Sequence, residues 1–164
     1  MRWVTVGVDG SAESVAALRW AYREASLRGA EVHAVHVREA QCYSLASYAV
    51  PVQASPDDSS ADSIDDLVRS VQADQAPDVA VRVEVVDGLA ARVLLDRCAG
   101  ADMLVLGTAS DTGAGRSVGP VIRACLRRAA CPVVVITAAQ DPGQHPAGLV
   151  RVSAGVGIPA TAGV

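Results

Sequence analysis

Residues 101–120 read Ala-Asp-Met-Leu-Val-Leu-Gly-Thr-Ala-Ser-Asp-Thr-Gly-Ala-Gly-Arg-Ser-Val-Gly-Pro. Between Asp102 and Gly107 no polar side chain interrupts Met103-Leu104-Val105-Leu106. A short unbroken apolar run suits a strand covered on both faces, which is the habit of parallel sheets layered between helices. This segment therefore predicts the buried centre of an α/β sheet. A Gly-rich loop follows at once. Pro120 closes the loop and opens an apolar pattern running to about Ala130, and proline suits the first position of a helix. Pro132 to Thr137, with Val133-Val134-Val135-Ile136 at its centre, reads as the next strand.

Upstream the same alternation repeats. Trp3 to Asp9 alternates Val4, Val6 and Val8 with Thr5 and Gly7, a strand ended by the turn Asp9-Gly10-Ser11. Ala12 to Arg28 carries Val15, Leu18, Tyr22 and Ala25 at helical spacing, and Gly29 stands at the place of a C-cap glycine. Glu31 to Arg38 is a second strand. Residues 40–60 hold Pro51, Pro56 and several serines and lack a period, so they read as a loop. A helix is expected over Ser60 to Ala73, with Ser59 and Ser60 as cap candidates. The third strand is Val79 to Val86, with valines on one side and Arg82 and Glu84 on a wetter one. A helix over Leu89 to Ala99 leads back to Asp102. Strands alternating with helices predict a parallel sheet with right-handed crossovers. From Ala138 onward Gly, Ala and Pro dominate, so residues 140–164 read as a loosely attached or disordered tail behind a domain of residues 1–139.

Composition narrows the chemistry. The chain has 164 residues and a net charge of −4, and all fourteen of its basic residues are arginine. Without lysine there is no Walker-type phosphate lysine and no Schiff base. The arginines are scattered rather than gathered in a stripe, which argues against nucleic acid. Apolar runs stay well short of a membrane span, and the N-terminus runs straight into a strand pattern, so the expectation is a cytoplasmic protein with no signal peptide. Cys42, Cys98, Cys125 and Cys131 form no CxxC pair and have no histidine at zinc spacing. Cys98, Cys125 and Cys131 sit in apolar segments and read as buried reduced thiols. His33 and His36 have a one-sided spacing along strand two, but as a metal pair they lack further ligands.

In doubly wound sheets ligands bind at the carboxyl ends of strands where the strand order reverses. Two turns there carry suitable groups: Asp9-Gly10-Ser11, and the loop from Gly107 to Gly119. Glycines let a backbone approach phosphate, and a helix start supplies free N–H groups. Gly113, Gly115 and Gly119 follow the fourth strand with the wrong spacing for a dinucleotide fingerprint. Asp9 reads either as a ligand for a ribose hydroxyl or adenine amine, or as a carboxylate capping its own turn.

VGVDGSAESVAALRWAYREA, His36-Val37, and ADMLVLGTASDTGAGRSVGPVIRACLRRAACPVVVI together resemble the universal stress protein family over about residues 3–137. The resemblance implies a five-stranded sheet in order 3-2-1-4-5 within a three-layer α/β/α fold. It implies contacts of Asp9 and Val37 with a nucleoside, and approach of Gly107, Gly113, Gly115 and Gly119 to phosphates, with Arg116 or Ser117 assisting. The ligand it implies is ATP or another adenine nucleotide, with Mg2+ as an accompanying ion. The family's spacing of glycines is altered here. Ser110 stands where a second glycine belongs, the loop is one residue short, and Pro120 replaces a Ser or Thr, removing an N–H and a hydroxyl.

A nucleotide-binding regulatory protein and a nucleotide-free dimeric interaction module are the two leading readings. A hydrolase or transferase is the weakest, for no GxSxG elbow, lysine nucleophile or His/Cys metal cluster occurs, and slow ATP hydrolysis would have only Asp9 as a base. The uncharged strand Pro132–Thr137, expected at a sheet edge, invites pairing with a second copy, which the resemblance also favours. The tail segment Leu149-Val150-Arg151-Val152 is its rival for that edge.

Overall fold

The alternation seen in sequence is realised as nine elements among the described residues. The structure, a computed structural model, describes residues 2–39, 58–108 and 118–137. Its elements are β1 Trp3–Gly7, α1 Ala12–Arg28, β2 Glu31–Arg38, α2 Asp58–Gln75, β3 Val81–Asp87, α3 Ala90–Arg97, β4 Met103–Thr108, α4 Pro120–Arg128 and β5 Val133–Thr137. Every pairing is parallel, and the order across the sheet is β3-β2-β1-β4-β5. The loop 40–57, the Gly-rich loop at 109–117 and the tail lie outside the described residues.

Period-2 alternation sorts each strand's side chains into two cores. On one face Val4, Val6, Val32, Ala34, Val105 and Val134 pack under α1 and α2. On the other, Val35, Leu104, Leu106, Val133 and Val135 pack under α3 and α4. Fully burying such a Val or Leu contributes about 1.5–3 kcal/mol, so the two faces together supply the main drive to fold. β4 is buried from Met103 to Leu106, as its unbroken apolar run requires. β5 is buried from Val133 to Ile136 as well, although it is an edge strand. Helices cover both faces of β5, and what its edge offers is backbone.

α1 begins on Ser11, whose hydroxyl accepts from Ser14 N–H at 3.2 Å. It ends on Gly29, left-handed at φ 61°, with Ala30 N–H bonded to Ala25 O at 2.9 Å. Its buried stripe is Ser14, Ala17, Leu18, Ala21, Tyr22 and Ala25, which displaces Val15 to a half-buried position. α2 starts at Asp58, so Ser59 and Ser60 lie inside its first turn rather than at its cap. Val79, expected in strand three, sits in the preceding turn, where its N–H bonds Ala76 O at 3.1 Å. The other limits move by a residue or two, as helix and strand ends do. Cys98, Cys125 and Cys131 are free and buried, as expected; Cys42 lies outside the described residues.

Candidate functional site

β1 pairs with β4 only as far as Val6↔Val105, whereas on its other side it continues along β2 to Gly7↔Val35. The sheet therefore opens beyond Val6, between its two central strands and at the point where strand order reverses. The N-termini of α1 and α4 both belong to connections that leave this edge.

Asp9 heads the α1 connection. Its Oδ1 accepts from Ser11 N–H at 3.0 Å and from Ser11 Oγ at 2.5 Å. Ser14 Oγ donates to Ser11 O at 2.9 Å and accepts from Asp9 N–H at 3.4 Å. Partial burial works to raise the Asp9 pKa, but the bonds from the Ser11 hydroxyl and backbone and from Ser14 outweigh it and hold the carboxyl below its ordinary value. The turn-capping reading of Asp9 is thus realised. It uses Oδ1 and leaves Oδ2 without a protein partner among the described residues.

The two end glycines of the loop differ. A Cβ on Gly107 would fall 2.3 Å from Glu13 O and 2.7 Å from Ser14 N, so only glycine lets the first turn of α1 lie against β4. A Cβ on Gly119 would meet nothing within 4 Å. Gly119 is the N-cap of α4, Pro120 occupies its first turn, and among the described residues no side chain caps it. Among the described residues no side chain accepts from the first-turn N–H groups of Val121 and Ile122, which stand at the positive end of a helix dipole. Gly113, Gly115, Ser117, Ser110 and Arg116 lie outside the described residues.

On β2, His36 Nδ1 lies 2.8 Å from Val8 O. A carbonyl can only accept, so Nδ1 carries the proton and donates. By the parallel register, the N–H and C=O of Val37 point along the line of β1, where that strand has ended. The Val37 side chain packs half-buried against the α3 and α4 core. His33 faces the other way, stacked on Trp3 with ring centroids 5.4 Å apart. The one-sided spacing read from the sequence is therefore wrong: three residues along a strand reverse the face. Among the described residues no group of three or more His, Cys, Asp or Glu side chains is placed to hold a metal ion.

Asp9, Val37, Gly107 and Gly119 are thus gathered at one edge. Reading the sequence missed the capping role of Ser11, the part played by Ser14 and the His36–Val8 bond. The pattern Ser11-x-x-Ser14 after Asp9 carried a cap signal for the first two, but the third needs two strands side by side.

The Universal stress protein family matches residues 1–137. The chain belongs to that family. A universal stress protein of Mycolicibacterium smegmatis is 34% identical over 139 residues, covering 81% of this chain and 47% of that protein. The chain spans about half the length of the curated relatives it matches. The universal stress protein UspA from Lactobacillus plantarum superposes with a TM-score of 0.63 at 23% identity, covering 82% of this chain and 96% of that one. A universal stress protein in complex with cAMP superposes at 0.59 and 22% identity, covering 84% and 98%. An Arabidopsis thaliana member of the family, TM-score 0.55 and 19% identical over 87% of this chain and 95% of that one, has AMP bound. Among the described residues no helix is long and apolar enough to cross a membrane.

Proposed function

We propose that this chain is a regulatory universal stress protein that binds an adenine nucleotide, ATP foremost, at the opening between β1 and β4. The observation that carries this reading is the first turn of α4 behind Gly119, where among the described residues no side chain caps the backbone N–H groups. Phosphates suit that end. Val37's outward backbone edge suits an adenine, and the unengaged Oδ2 of Asp9 suits a ribose hydroxyl. Gly113, Gly115 and Ser117 would extend the phosphate contacts, and Mg2+ would ride on the phosphates. Relatives that hold cAMP and AMP support the choice of adenine.

Binding rather than catalysis follows from Asp9 itself. Held acidic by Ser11 and Ser14, it is a weak base at neutral pH and a good hydrogen-bond acceptor. The deciding experiment is mass spectrometry of small molecules released from purified protein, with calorimetry against ATP, AMP and cAMP. An adenine nucleotide in the release, or binding by titration, is expected. Neither would leave the nucleotide-free interaction module.

A homodimer through β5 belongs to the same proposal, supported by the unpaired backbone edge of that strand among the described residues. Leu104 N–H bonds Pro132 O at 2.9 Å, so the N–H groups of Val133, Val135 and Thr137 point away from β4. Val135→Pro removes one outward donor and spares the ladder to β4, so it should yield monomer in light scattering. A wild type that is monomeric at high concentration would rule the dimer out. Val134→Arg is a poorer test, because Val134 is 4% exposed and belongs to the core under α1.

A further inference from the structure

The ladder between β1 and β2 stops one bond early. In a parallel pair, alternate residues of a strand face a given neighbour and share with it one N–H bond and one C=O bond each. Here the even-numbered residues from Arg2 to Val8 face β2. Arg2 O accepts from Glu31 N–H at 3.0 Å at one end, and Val8 N–H donates to Val35 O at 2.9 Å at the other. The register Gly7↔Val35 sets Val8 opposite His36, so the next bond would run from Val37 N–H to Val8 O. That acceptor is taken instead by His36 Nδ1, at 2.8 Å. On the side toward β1, the N–H and C=O of Val37 then have no backbone partner among the described residues.

Side-chain alternation explains the diversion. Val32 and Ala34 face α1 and α2, and His36 falls in step with them. Val8 is buried on the same face. The imidazole therefore meets the Val8 carbonyl from that face, where the chain leaves the sheet for the turn Asp9-Gly10-Ser11. The peptide between Val8 and Asp9 is held from both sides: its carbonyl by His36, and its N–H by Ser14 Oγ at 3.4 Å.

We propose that His36 is a positioning residue that sets base specificity, an inference that rests on the adenine-nucleotide reading above. By holding Val8 O it keeps the last rung of the ladder open, and the Val37 N–H and C=O stand side by side as one donor and one acceptor. Adenine is complementary to that pair: its N1 accepts from the N–H, and its 6-amino group donates to the C=O. Hypoxanthine and guanine present the reverse pattern, a proton on N1 and an oxygen on C6. Donor then meets donor and acceptor meets acceptor, and both backbone groups lose water without gaining a bond. His36 acts through Val8 and Val37.

The test has two parts, both on the full-length chain. Amide hydrogen exchange, read by NMR on nucleotide-free protein, compares Val37 with Val35, whose N–H lies inside the ladder. Val37 should exchange at least about a hundredfold faster. Equal protection of the two in the wild type overturns the proposal, whether or not any variant folds. His36→Phe keeps a ring and loses the donor, so Val8 O should take the Val37 N–H and slow its exchange. His36→Asn places its Nδ2 where Nδ1 stood and should keep Val37 fast. A Val37 amide that stays fast in His36→Phe overturns the proposal.

Calorimetry then compares ATP with 1-deaza-ATP, in which a C–H replaces N1. Wild type and His36→Asn should prefer ATP by about tenfold, and His36→Phe by about twofold or less, because its Val37 N–H is already spent. A preference that survives intact in His36→Phe overturns the role of His36 and leaves the nucleotide reading standing. A wild type that binds neither compound overturns the nucleotide reading, and base specificity with it.

Discussion

Two helices begin at the same edge of the sheet, and they begin differently. α1 closes its own end: the Ser11 hydroxyl caps Ser14 N–H and donates to Asp9, and Ser14 returns to Ser11 O. α4 starts from a bare Gly119 followed by Pro120, with no side-chain cap among the described residues. The glycines repeat the contrast. Gly107 is demanded by contact with Glu13 and Ser14, while nothing described presses on Gly119. A terminus that satisfies itself is part of the scaffold. One that leaves N–H groups unspent is where an anion gains most, since each bond it accepts replaces a water contact at the positive end of the dipole.

The sharpest way to break this contrast is at the glycines. Gly107→Ala should destabilise folding by about 3 kcal/mol, because neither backbone atom it strikes can swing aside. Gly119→Ala should cost less than about 1 kcal/mol. Urea denaturation of both variants measures the difference, and equal losses would dissolve it.

Next in size is Asp9→Ala, expected to weaken nucleotide binding by about 1–3 kcal/mol through loss of the acceptor beside the ribose. Calorimetry returning wild-type affinity would remove Asp9 from the site and leave it a turn residue.

Ser11→Ala sharpens the scaffold half. Losing the cap should cost about 1 kcal/mol of stability. It should also let the Asp9 pKa rise toward its ordinary value, since the Ser11 hydroxyl is the strongest group holding it down. The sign follows from linkage: a carboxylate depressed in the folded state adds stability above its unfolded pKa of about 3.9, and that stability is lost as pH falls through the folded value. Wild type should therefore lose more stability than Ser11→Ala on acidification below about pH 4, as read by denaturation at stepped pH. Parallel curves would deny Ser11 its role.

The smallest effect concerns α4. Pro120→Ser restores one N–H and adds a hydroxyl at the uncapped end, and should tighten nucleotide binding by about 1 kcal/mol or less. No gain in calorimetry would place the limiting change in the shortened loop.

Much of this was legible from local pattern. Met103–Leu106 announced a central strand because an unbroken apolar run can be satisfied only by cover on both faces. Gly29 announced the end of α1 because left-handed backbone favours glycine. Asp9 announced its turn because an Asx side chain can reach the N–H two residues on. The candidate site was legible as residues but not as roles. Gly107 looked like a phosphate glycine, yet its neighbours among the described residues are Glu13 and Ser14 of α1. His33 and His36 looked like a pair, yet one stacks on Trp3 and the other bonds Val8 O.

By itself, then, the sequence determined the order and kind of the elements, and with the family resemblance the order of the strands. Those rest on periods of 2 and 3.6 residues and on turn chemistry, which act between residues a few positions apart. Tertiary structure alone decided which glycine serves packing, that the edge strand β5 is buried on both faces, and that Cys98, Cys125 and Cys131 share one core. Each of these depends on the distance between elements remote in the chain, and hydropathy periodicity carries no record of that distance.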